Sequence, residues 1–301
     1  MKIHALCLVK NEADIIEQTL RSAAVWCDFI YVLDNGSTDG TWEKVNRLAE
    51  EIAPVIPYAQ DDQPFRDSLR ETIFRHYKSR ARPGDWWCIL DADEFCVDDP
   101  RSFLRSVPRR YKSVWMLRYT YLFTDMELAR FQQDPEKFDK LPVEEKILHY
   151  VTGDYSEPRF FRDSKRMTRL PGRELQPVYP TRIRINHFAY RSPEQIKLRL
   201  ETRKEPMERG EFLHEKRSNW APDGVIVPGP ARPEDFADTW QERVATSSHC
   251  LVASVGGDLV EDTWSPPANQ RSELLRPLLR SMLHRARSTV RLPRHDSSGG
   301  K

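Results

Sequence analysis

The chain has 301 residues, which is enough for one large domain with an extension, and its 47 basic and 46 acidic residues give a formal net charge of +1. This balance argues against binding of nucleic acid, and the five scattered cysteines lack the spacing of a zinc site or a disulfide framework. The chain begins directly with a predicted strand, without a signal-peptide pattern or a run of about 20 apolar residues, so we expect a cytoplasmic protein.

Strands and helices alternate along the first third of the chain. Apolar runs predict strands at 2–9, 29–33, 55–58 and 86–90, and apolar residues at helical spacing predict helices at 15–24, 42–51 and 66–80. Such alternation is typical of a parallel sheet with helices on both faces. The run at 86–90 (WWCIL) is apolar at almost every position, which indicates a strand buried on both faces.

Three of these strands end in polar loops, at 10–14 (KNEAD), 34–41 (DNGSTDGT) and 91–95 (DADEF). In open α/β sheets, ligands bind outside the carboxyl ends of the strands. Asp91 and Asp93 are alternate residues at a strand end, so both can face one hard cation, and Mg²⁺ or Mn²⁺ prefers such oxygen ligands. An isolated acidic pair would more simply be a solvated turn, but three such loops in register point to a site.

The segments CLVKNEADII, VLDNGSTDGT and ILDADEF, in this order and spacing, resemble the amino-terminal half of family 2 glycosyltransferases with the GT-A fold. The resemblance covers about residues 1–100 and continues more loosely to about residue 205, through PRFFR (158–162) and INHF (185–188). It implies an α/β, GT-A-like (Rossmann-like) domain at 1–215, with a mostly parallel central sheet flanked by helices. The activity it implies is an inverting, metal-dependent transfer of a sugar from a nucleoside-diphosphate donor to an acceptor hydroxyl.

The resemblance also implies roles for individual residues. The donor nucleotide would be bound by Lys10, Asn11, Glu12, Asp34, Asn35, Ser37, Asp39 and Asp91. Asn35 and Ser37 are alternatively turn formers, with Gly36 and Gly40 supplying positive φ, and Asp39 is alternatively the cap of the helix that starts near Thr41.

The same resemblance assigns the cation, Mn²⁺ or Mg²⁺, to the Asp-x-Asp (DXD) motif. Asp93 would bind it directly, and Asp91 would contact the ribose or reach the metal through water. His187 ends a later predicted strand and is a candidate third ligand, with an ordinary structural histidine as the alternative.

An inverting transfer needs a carboxylate that takes the proton of the acceptor hydroxyl. We predict this base beyond the metal motif, where Glu157 is the first choice because it precedes a predicted strand. Asp154 is the next candidate, followed by Asp125 and Asp163. Glu94 is expected to orient the site or the acceptor. No acidic pair stands at a helix start after the sheet, which departs from the commonest pattern of the family.

Two later segments carry positive charge. The predicted helix at 192–204 brings Arg199, Arg203 and Lys204 together, either to neutralise a diphosphate or as a solvated face. Residues 216–301 are predicted to be a linker and a mainly helical extension, in which 271–291 form a basic amphipathic helix despite Pro277. This helix would either lie on the inner face of a membrane or pack on its own domain or a partner subunit.

We therefore predict a nucleotide-sugar-dependent transferase whose acceptor is a saccharide or lipid-linked saccharide of a cell-surface glycan. Two alternatives stay open. A nucleotidyltransferase would need a glycine-rich phosphate loop, which residues 10–12 do not provide. A catalytically silent nucleotide-sugar-binding protein of the same fold is the other, and the intact pair Asp91 and Asp93 argues against it.

Overall fold

The structure, a computed structural model, describes residues 1–152, 156–171, 177–209, 212 and 239–253. The strands are β1 Ile3–Val9, β2 Phe29–Asp34, β3 Val55–Gln60, β4 Trp86–Leu90, β5 Glu94–Cys96, β6 Ser113–Leu122, β7 His149–Thr152, β8 Pro158–Arg162, β9 Ile183–Phe188 and β10 Leu251–Val252. The helices are α1 Ile16–Ala24, α2 Thr41–Glu51, α3 Leu69–Tyr77, α4 Pro100–Ser106, α5 Asp125–Gln133, α6 Pro135–Lys140, α7 Val143–Lys146 and α8 Pro193–Glu208.

In the described part of the chain, ten strands form one mixed sheet with the main order β10-β7-β6-β8-β4-β1-β2-β3. The first four strands of the chain pair in parallel, as β3-β2-β1-β4. β8 then pairs antiparallel with both β4 and β6, and β9 bridges parallel to β6 and antiparallel to β5. The predicted GT-A-like α/β fold is confirmed. Parallel pairing is confined mainly to the first half, because the later strands return beside β4 in the opposite direction.

The central strands are buried on both faces, as the sequence predicts. All seven residues of β1 are buried. In β4, Trp86 packs in a cluster with Ile16 and Leu20 of α1, whereas Trp87 packs on the other face with Phe74 of α3. The two adjacent tryptophans therefore anchor helices on opposite faces of the sheet, which fixes where β4 ends and where the motif after it begins.

Helix starts follow local capping chemistry. Thr124 and Glu127 form a capping box at the start of α5. Ser192 accepts a hydrogen bond from the backbone N–H of Gln195 at 3.2 Å, and Pro193 occupies the first turn of α8, as predicted. The helix predicted at 66–80 is shorter, since α3 ends at Tyr77 and a 3₁₀ turn follows. Segment 113–122 is the single long strand β6.

Part of the predicted extension joins the main sheet. β10 pairs with β7, and the backbone N–H of Ala245 donates to the carbonyl of Phe123 at 2.9 Å. The boundary near residue 215 stays a prediction. The basic helix predicted at 271–291 lies outside the described residues, as do 216–238 and 254–301 of the predicted linker and extension. Within the described ranges, no helix has the length and apolar character to cross a bilayer.

Candidate active site

A cleft of about 890 Å³ opens where β1 and β4 end, between α3 and α8. Its lining includes the predicted site residues Lys10, Asn11, Glu12, Asp91, Asp93, Glu94, Glu157 and His187. Residues from both halves of the chain meet here because β5 and β9 pair beside the end of β4. The lining combines apolar side chains, among them Leu8, Ile89 and Phe161, with many charged ones, and a concave site of this volume is suited to a small molecule with polar and apolar parts.

Asp93 and His187 face each other at the floor of the cleft. The register of β5 and β9 places His187 opposite Glu94, and the backbone N–H of Phe188 donates to the carbonyl of Asp93 at 2.8 Å. As a result, Oδ2 of Asp93 lies 3.5 Å from Nε2 of His187. Burial by itself would raise the pKa of Asp93, but His187 and Arg199 hold it well below its usual value, so the carboxylate is ionised.

The chemistry of this pair fits a divalent cation. Burial lowers the pKa of His187 although Asp93 raises it, and burial thus favours the neutral imidazole that a metal ligand must be. Its buried Nδ1 has no hydrogen-bond partner among the residues that the structure describes. A carboxylate oxygen combined with an imidazole nitrogen suits Mn²⁺ better than Mg²⁺, which prefers oxygen ligands alone. Asp93 and His187 stay the predicted ligands, and a cation between them would compete with Arg199, which lies 3.0 Å from the same Oδ2 of Asp93.

Asp91 belongs to a second acidic group, with Glu94 and Glu157. One carboxylate oxygen of each lies within 4.8 Å of the others. Arg159 of β8 neutralises all three, since its Nη2 lies 3.0 Å from Asp91, 2.5 Å from Glu94 and 2.7 Å from Glu157. Arg70 of α3 donates to the other oxygen of Asp91. This group already has a buried cation at its centre, so it is an ion-pair cluster in which Asp91 faces arginine.

The carboxyl groups of this cluster differ in their ionisation. Burial, reinforced by Asp91 and Asp93 and opposed by Arg159, raises the pKa of Glu94 to about 8. The pKa of Asp91 is lowered instead, because Arg159 and Arg70 outweigh its burial. Glu157 keeps a fifth of its side chain exposed to the cleft. Asp91 is 28 % exposed and Glu94 only 5 %, so Asp91 and Glu157 are the carboxylates of this cluster that can meet a bound molecule.

A second chain of ion pairs links the β1 loop to the metal motif. Arg191, which is 1 % exposed, donates to Glu12 at 2.6 Å and to Asp14 at 2.7 Å. Arg199 of α8 lies 3.0 Å from Asp93 and 3.9 Å from Glu12. Burial raises the pKa of Glu12 to about 7, although Arg191 lowers it. The predicted nucleotide residue Glu12 is thus anchored between two arginines that the motifs do not contain.

The predicted nucleotide residues of the second loop do not line this cleft. Oδ1 of Asp34 accepts the backbone N–H of Ser37 at 2.7 Å, and Ser37 Oγ accepts the N–H of Asn11 at 2.8 Å. The Asn35 amide donates to the carbonyls of Asp61 and Gln63 at 2.9 and 2.7 Å. These side chains hold the loop against its neighbours.

Asp39 also holds this loop in place through hydrogen bonds. Its carboxylate accepts the backbone N–H of Ala13 at 2.9 Å and that of Thr41, at the start of α2, at 3.0 Å. Gly36 and Gly40 have φ of 73° and 92°, which are the positive angles expected of them. The nucleotide roles of Asp34, Asn35, Ser37 and Asp39 stay predictions. In this structure the turn and cap interactions are the ones formed.

The further candidates for the base lie elsewhere. Asp163 is 2 % exposed and is bound by Lys78 and the Trp87 indole, at 2.8 and 2.9 Å. Asp125 starts α5 and accepts the backbone N–H of Ser247 at 2.7 Å. Neither residue lines the cleft. Asp154 lies outside the described residues.

Arg70, Arg159 and Arg191 are parts of the site that sequence reasoning missed. Arg159 lies in the segment PRFFR, and its partner Glu94 is far from it in the sequence. The sequence signal for such residues is an arginine within or next to an apolar strand pattern, because an arginine that is buried there must be paired with an acidic group.

The fold and the cleft together define the class of protein. It is an α/β protein of GT-A type, with an acidic motif after a central strand and a histidine brought to it by a later strand. Residues 7–156, about half of the chain, match the family model described as Glycosyl transferase family 2. The chain belongs to this family through that domain.

Solved structures similar to part of the chain include two transferases. One is the mannosyltransferase PcManGT from Pyrobaculum calidifontis in complex with GDP-Man and Mn²⁺, with 19 % identity and a TM-score of 0.32 over 39 % of this chain and 35 % of that one. The other is S. aureus TarS 1-349 in complex with UDP, with 16 % identity and a TM-score of 0.30 over 40 % and 36 %. The matched part thus spans about a third of each of these structures. No curated protein matches the chain.

Proposed function

We propose that this protein is an inverting glycosyltransferase that moves a sugar from a nucleoside-diphosphate donor to an acceptor hydroxyl, assisted by Mn²⁺ or Mg²⁺. The observation that carries the proposal is the facing pair Asp93 and His187 in the cleft that the β1 loop also lines, within a family 2 domain. The acceptor we propose is a saccharide or lipid-linked saccharide of a cell-surface glycan.

On the donor side, residues 10–12 of the β1 loop would bind the nucleotide, and Asp93 with His187 would hold the cation. When bound, the cation supplies a Lewis acid for the charge that develops on the diphosphate leaving group. Arg199, which lies 3.9 Å from Glu12 and 3.0 Å from Asp93, links the β1 loop to the metal motif before a donor arrives. This arrangement favours an already formed binding site.

On the acceptor side, Glu157 is the proposed base. Its contact with Arg159 at 2.7 Å orients the carboxylate. In a single displacement, the acceptor hydroxyl gives its proton to Glu157 while its oxygen bonds to the anomeric carbon, and the bond from that carbon to the diphosphate oxygen breaks. Glu94, whose pKa is raised to about 8, is more suited to orienting groups in the site than to accepting the proton at neutral pH.

Turnover of sugar nucleotides tests the proposal. UDP-, GDP-, CDP- and dTDP-linked sugars are incubated with the native protein and Asp93→Asn, with and without Mn²⁺ and candidate acceptors, and released nucleoside diphosphate is measured. We expect release from one donor class, dependent on the cation and lost in Asp93→Asn. Release of pyrophosphate from a nucleoside triphosphate and a sugar phosphate would instead identify a nucleotidyltransferase. Donor binding without any release would identify a silent binding protein.

The membrane contact proposed for residues 271–291 is tested separately. The full chain is sedimented with vesicles of neutral lipid and with vesicles containing anionic lipid. We expect binding to the anionic vesicles only, weakened by salt and by replacing the arginines of 271–291 with glutamine. If the native chain and the glutamine variant both stay in the supernatant with the anionic vesicles, this segment does not bind membranes.

A further inference from the structure

The end of the sheet opposite the cleft carries a basic surface. β1 and β4 run from this end toward the cleft, and β8, which is antiparallel to β4, returns to it at Arg162. The cations come from the start of the chain, the turn after α3, α4 with the segment after it, and the end of β8. This surface, which we call the basic end, has the exposed or partly exposed cations Lys2, Arg80, Arg82, Arg105, Arg109, Arg110, Lys112 and Arg162.

Direct contacts bring these separate segments together. The Arg162 side chain donates to the carbonyl of Val107, after α4, at 2.7 Å, and its backbone N–H donates to the carbonyl of Lys112 at 2.8 Å. Its guanidinium carbon lies 4.3 Å from the centroid of the Trp86 ring. The backbone N–H of Trp86 in turn donates to the carbonyl of Lys2 at 2.9 Å. The cations of α4, β8 and the start of the chain therefore belong to one continuous surface.

Acidic groups inside this surface are already bound by the protein. Asp85 is 6 % exposed and accepts the backbone N–H groups of Lys2 and Arg82 at 2.7 and 2.8 Å. Asp163, at the end of β8, is 2 % exposed. Residues 100–124 contain six basic residues and no acidic one. The charge that the basic end presents to solvent is thus positive.

Acidic side chains border the basic end on the side of α1 and α2. Asp28, which follows α1, is paired with Arg101 at 3.0 Å, and Asp99 caps the start of α4. α2 ends at the exposed residues Glu50 and Glu51. The positive charge is therefore concentrated on the part formed by α4, β8, the turn after α3 and the first residues of the chain.

Two apolar side chains protrude beside these cations. Val25, directly after α1, is 84 % exposed, and Met1 is 44 % exposed. Val25 lies at the border of the basic end, since the carbonyl of the next residue, Trp26, accepts a hydrogen bond from Arg101 of α4 at 2.8 Å. Cations beside exposed apolar side chains suit an anionic bilayer, where the cations meet headgroups and the apolar groups enter the interface. The phosphates of a nucleic acid would use the cations alone.

We propose that the basic end binds an anionic membrane surface, with Val25 entering the interface. This contact is separate from the basic helix predicted at 271–291 and does not depend on the proposed sugar transfer. The seven residues of β1 place the cleft about 20 Å from the basic end. The cleft therefore stays clear of the bilayer in this orientation and can exchange soluble ligands.

Sedimentation with vesicles tests the proposal on the full chain, both native and with the arginines of 271–291 replaced by glutamine, which removes the charge of that segment. The vesicles contain phosphatidylcholine alone or mixed with phosphatidylserine. In both backgrounds we expect binding to the mixed vesicles only, weakened by salt. In the glutamine background, Arg109→Gln combined with Arg110→Gln should weaken this binding by about tenfold or more, because two cations leave the contact.

Two further variants make the test specific. Lys137→Gln combined with Lys140→Gln is the control, since both lysines are exposed on α6, which is not part of the basic end. This control should bind the mixed vesicles as its parent does. Val25→Gln should weaken the binding several-fold without changing its salt dependence, because it removes an apolar contact and no charge.

Four outcomes would overturn the inference. Unchanged vesicle binding in the Arg109 and Arg110 variant would refute it directly. Equal losses in that variant and in the lysine control would mean that the total charge of the protein matters and not this surface. Binding to duplex DNA that depends on Arg109 and Arg110, without binding to vesicles, would assign the surface to nucleic acid. Absence of vesicle binding in the glutamine background would also refute it, and leaves the proposed sugar transfer untouched because the assay contains no donor.

Discussion

Asp93 and His187 come within 3.5 Å of each other although they lie in different halves of the chain. The contact follows from the antiparallel pairing of β5 with β9, in which Glu94 stands opposite His187. A short strand directly after the acidic motif thus selects its partner in the second half of the domain. The sheet thus brings together Asp93 and His187, the two proposed ligands of the cation.

His187→Ala should weaken Mn²⁺ binding by at least about tenfold, because one of the proposed ligands is removed. Free Mn²⁺ measured by electron paramagnetic resonance during a titration gives the affinity. His76→Ala is the control, since His76 is exposed on α3 and does not line the cleft. Identical Mn²⁺ affinities of the two variants would remove His187 from the site.

Glu157→Gln should lower kcat for sugar transfer by about 10²–10⁴-fold, the usual contribution of a general base. Donor affinity should stay close to the native value, because the proposed role of Glu157 is toward the acceptor. Glu94→Gln is the comparison, and we expect a smaller loss from it. If Glu94→Gln abolished turnover while Glu157→Gln kept it, the base would have to be reassigned to Glu94.

Arg159→Gln should destabilise the fold by about 3–5 kcal/mol, because it leaves buried carboxylates without their counter-charge. Chemical denaturation measures this loss, and Arg162→Gln on the same strand is the control. Arg162 donates to the backbone carbonyls of Val107 and Tyr111 and has no carboxylate partner among its described contacts, so its replacement should cost less. Mn²⁺ should stabilise Arg159→Gln more than the native protein, since three adjacent carboxylates become available to it. Equal losses in both variants would contradict this account of the cluster.

His4 should make the protein sensitive to acid. Its side chain is fully buried, with its ring centroid 4.9 Å from that of Phe29 and 4.7 Å from that of Trp87. Burial lowers the pKa of His4 to about 4. The folded protein therefore binds this proton less well than the unfolded chain does. The stability due to His4 is complete above about pH 6.5 and is lost as the pH falls toward 4.

The variant His4→Phe isolates this effect. Between pH 7 and pH 4.5, the native protein should lose about 2 kcal/mol more unfolding free energy than the variant. Denaturant titrations of both proteins at both pH values measure this difference. Because the other titrating groups are the same in the two proteins, their contribution cancels. The same loss in both proteins would show that His4 is not a source of acid sensitivity.

The sequence predicts the framework of the fold because its signals are local. WWCIL at β4 is buried on both faces, and the loops after β1 and β4 lie together in the cleft because parallel neighbouring strands end at the same edge. Capping at Ser192 and the positive φ of Gly36 are equally local properties, and both are confirmed.

The arginines of the site could not be predicted in this way. Arg159 meets Glu94 only because β8 lies beside β4, and Arg191 meets Glu12 only because the chain after β9 returns to the β1 loop. Asp34 shows a different limit of prediction from the sequence. Its position at the end of β2 is evident from the sequence, but the direction of its carboxylate depends on the turn at Gly36, which brings the N–H of Ser37 to it.

The most direct test of the central claim is the thermal shift caused by UDP, GDP, CDP and dTDP, each with and without Mn²⁺, on the native protein, Asp93→Asn and the exposed-site control Asp62→Asn. A ligand that binds only the folded state raises the melting temperature by mass action. We predict that one nucleotide stabilises the native protein and Asp62→Asn only when Mn²⁺ is present, and that Asp93→Asn loses this shift. No shift with any nucleotide at millimolar concentration, or a shift that Asp93→Asn retains in full, would contradict the account.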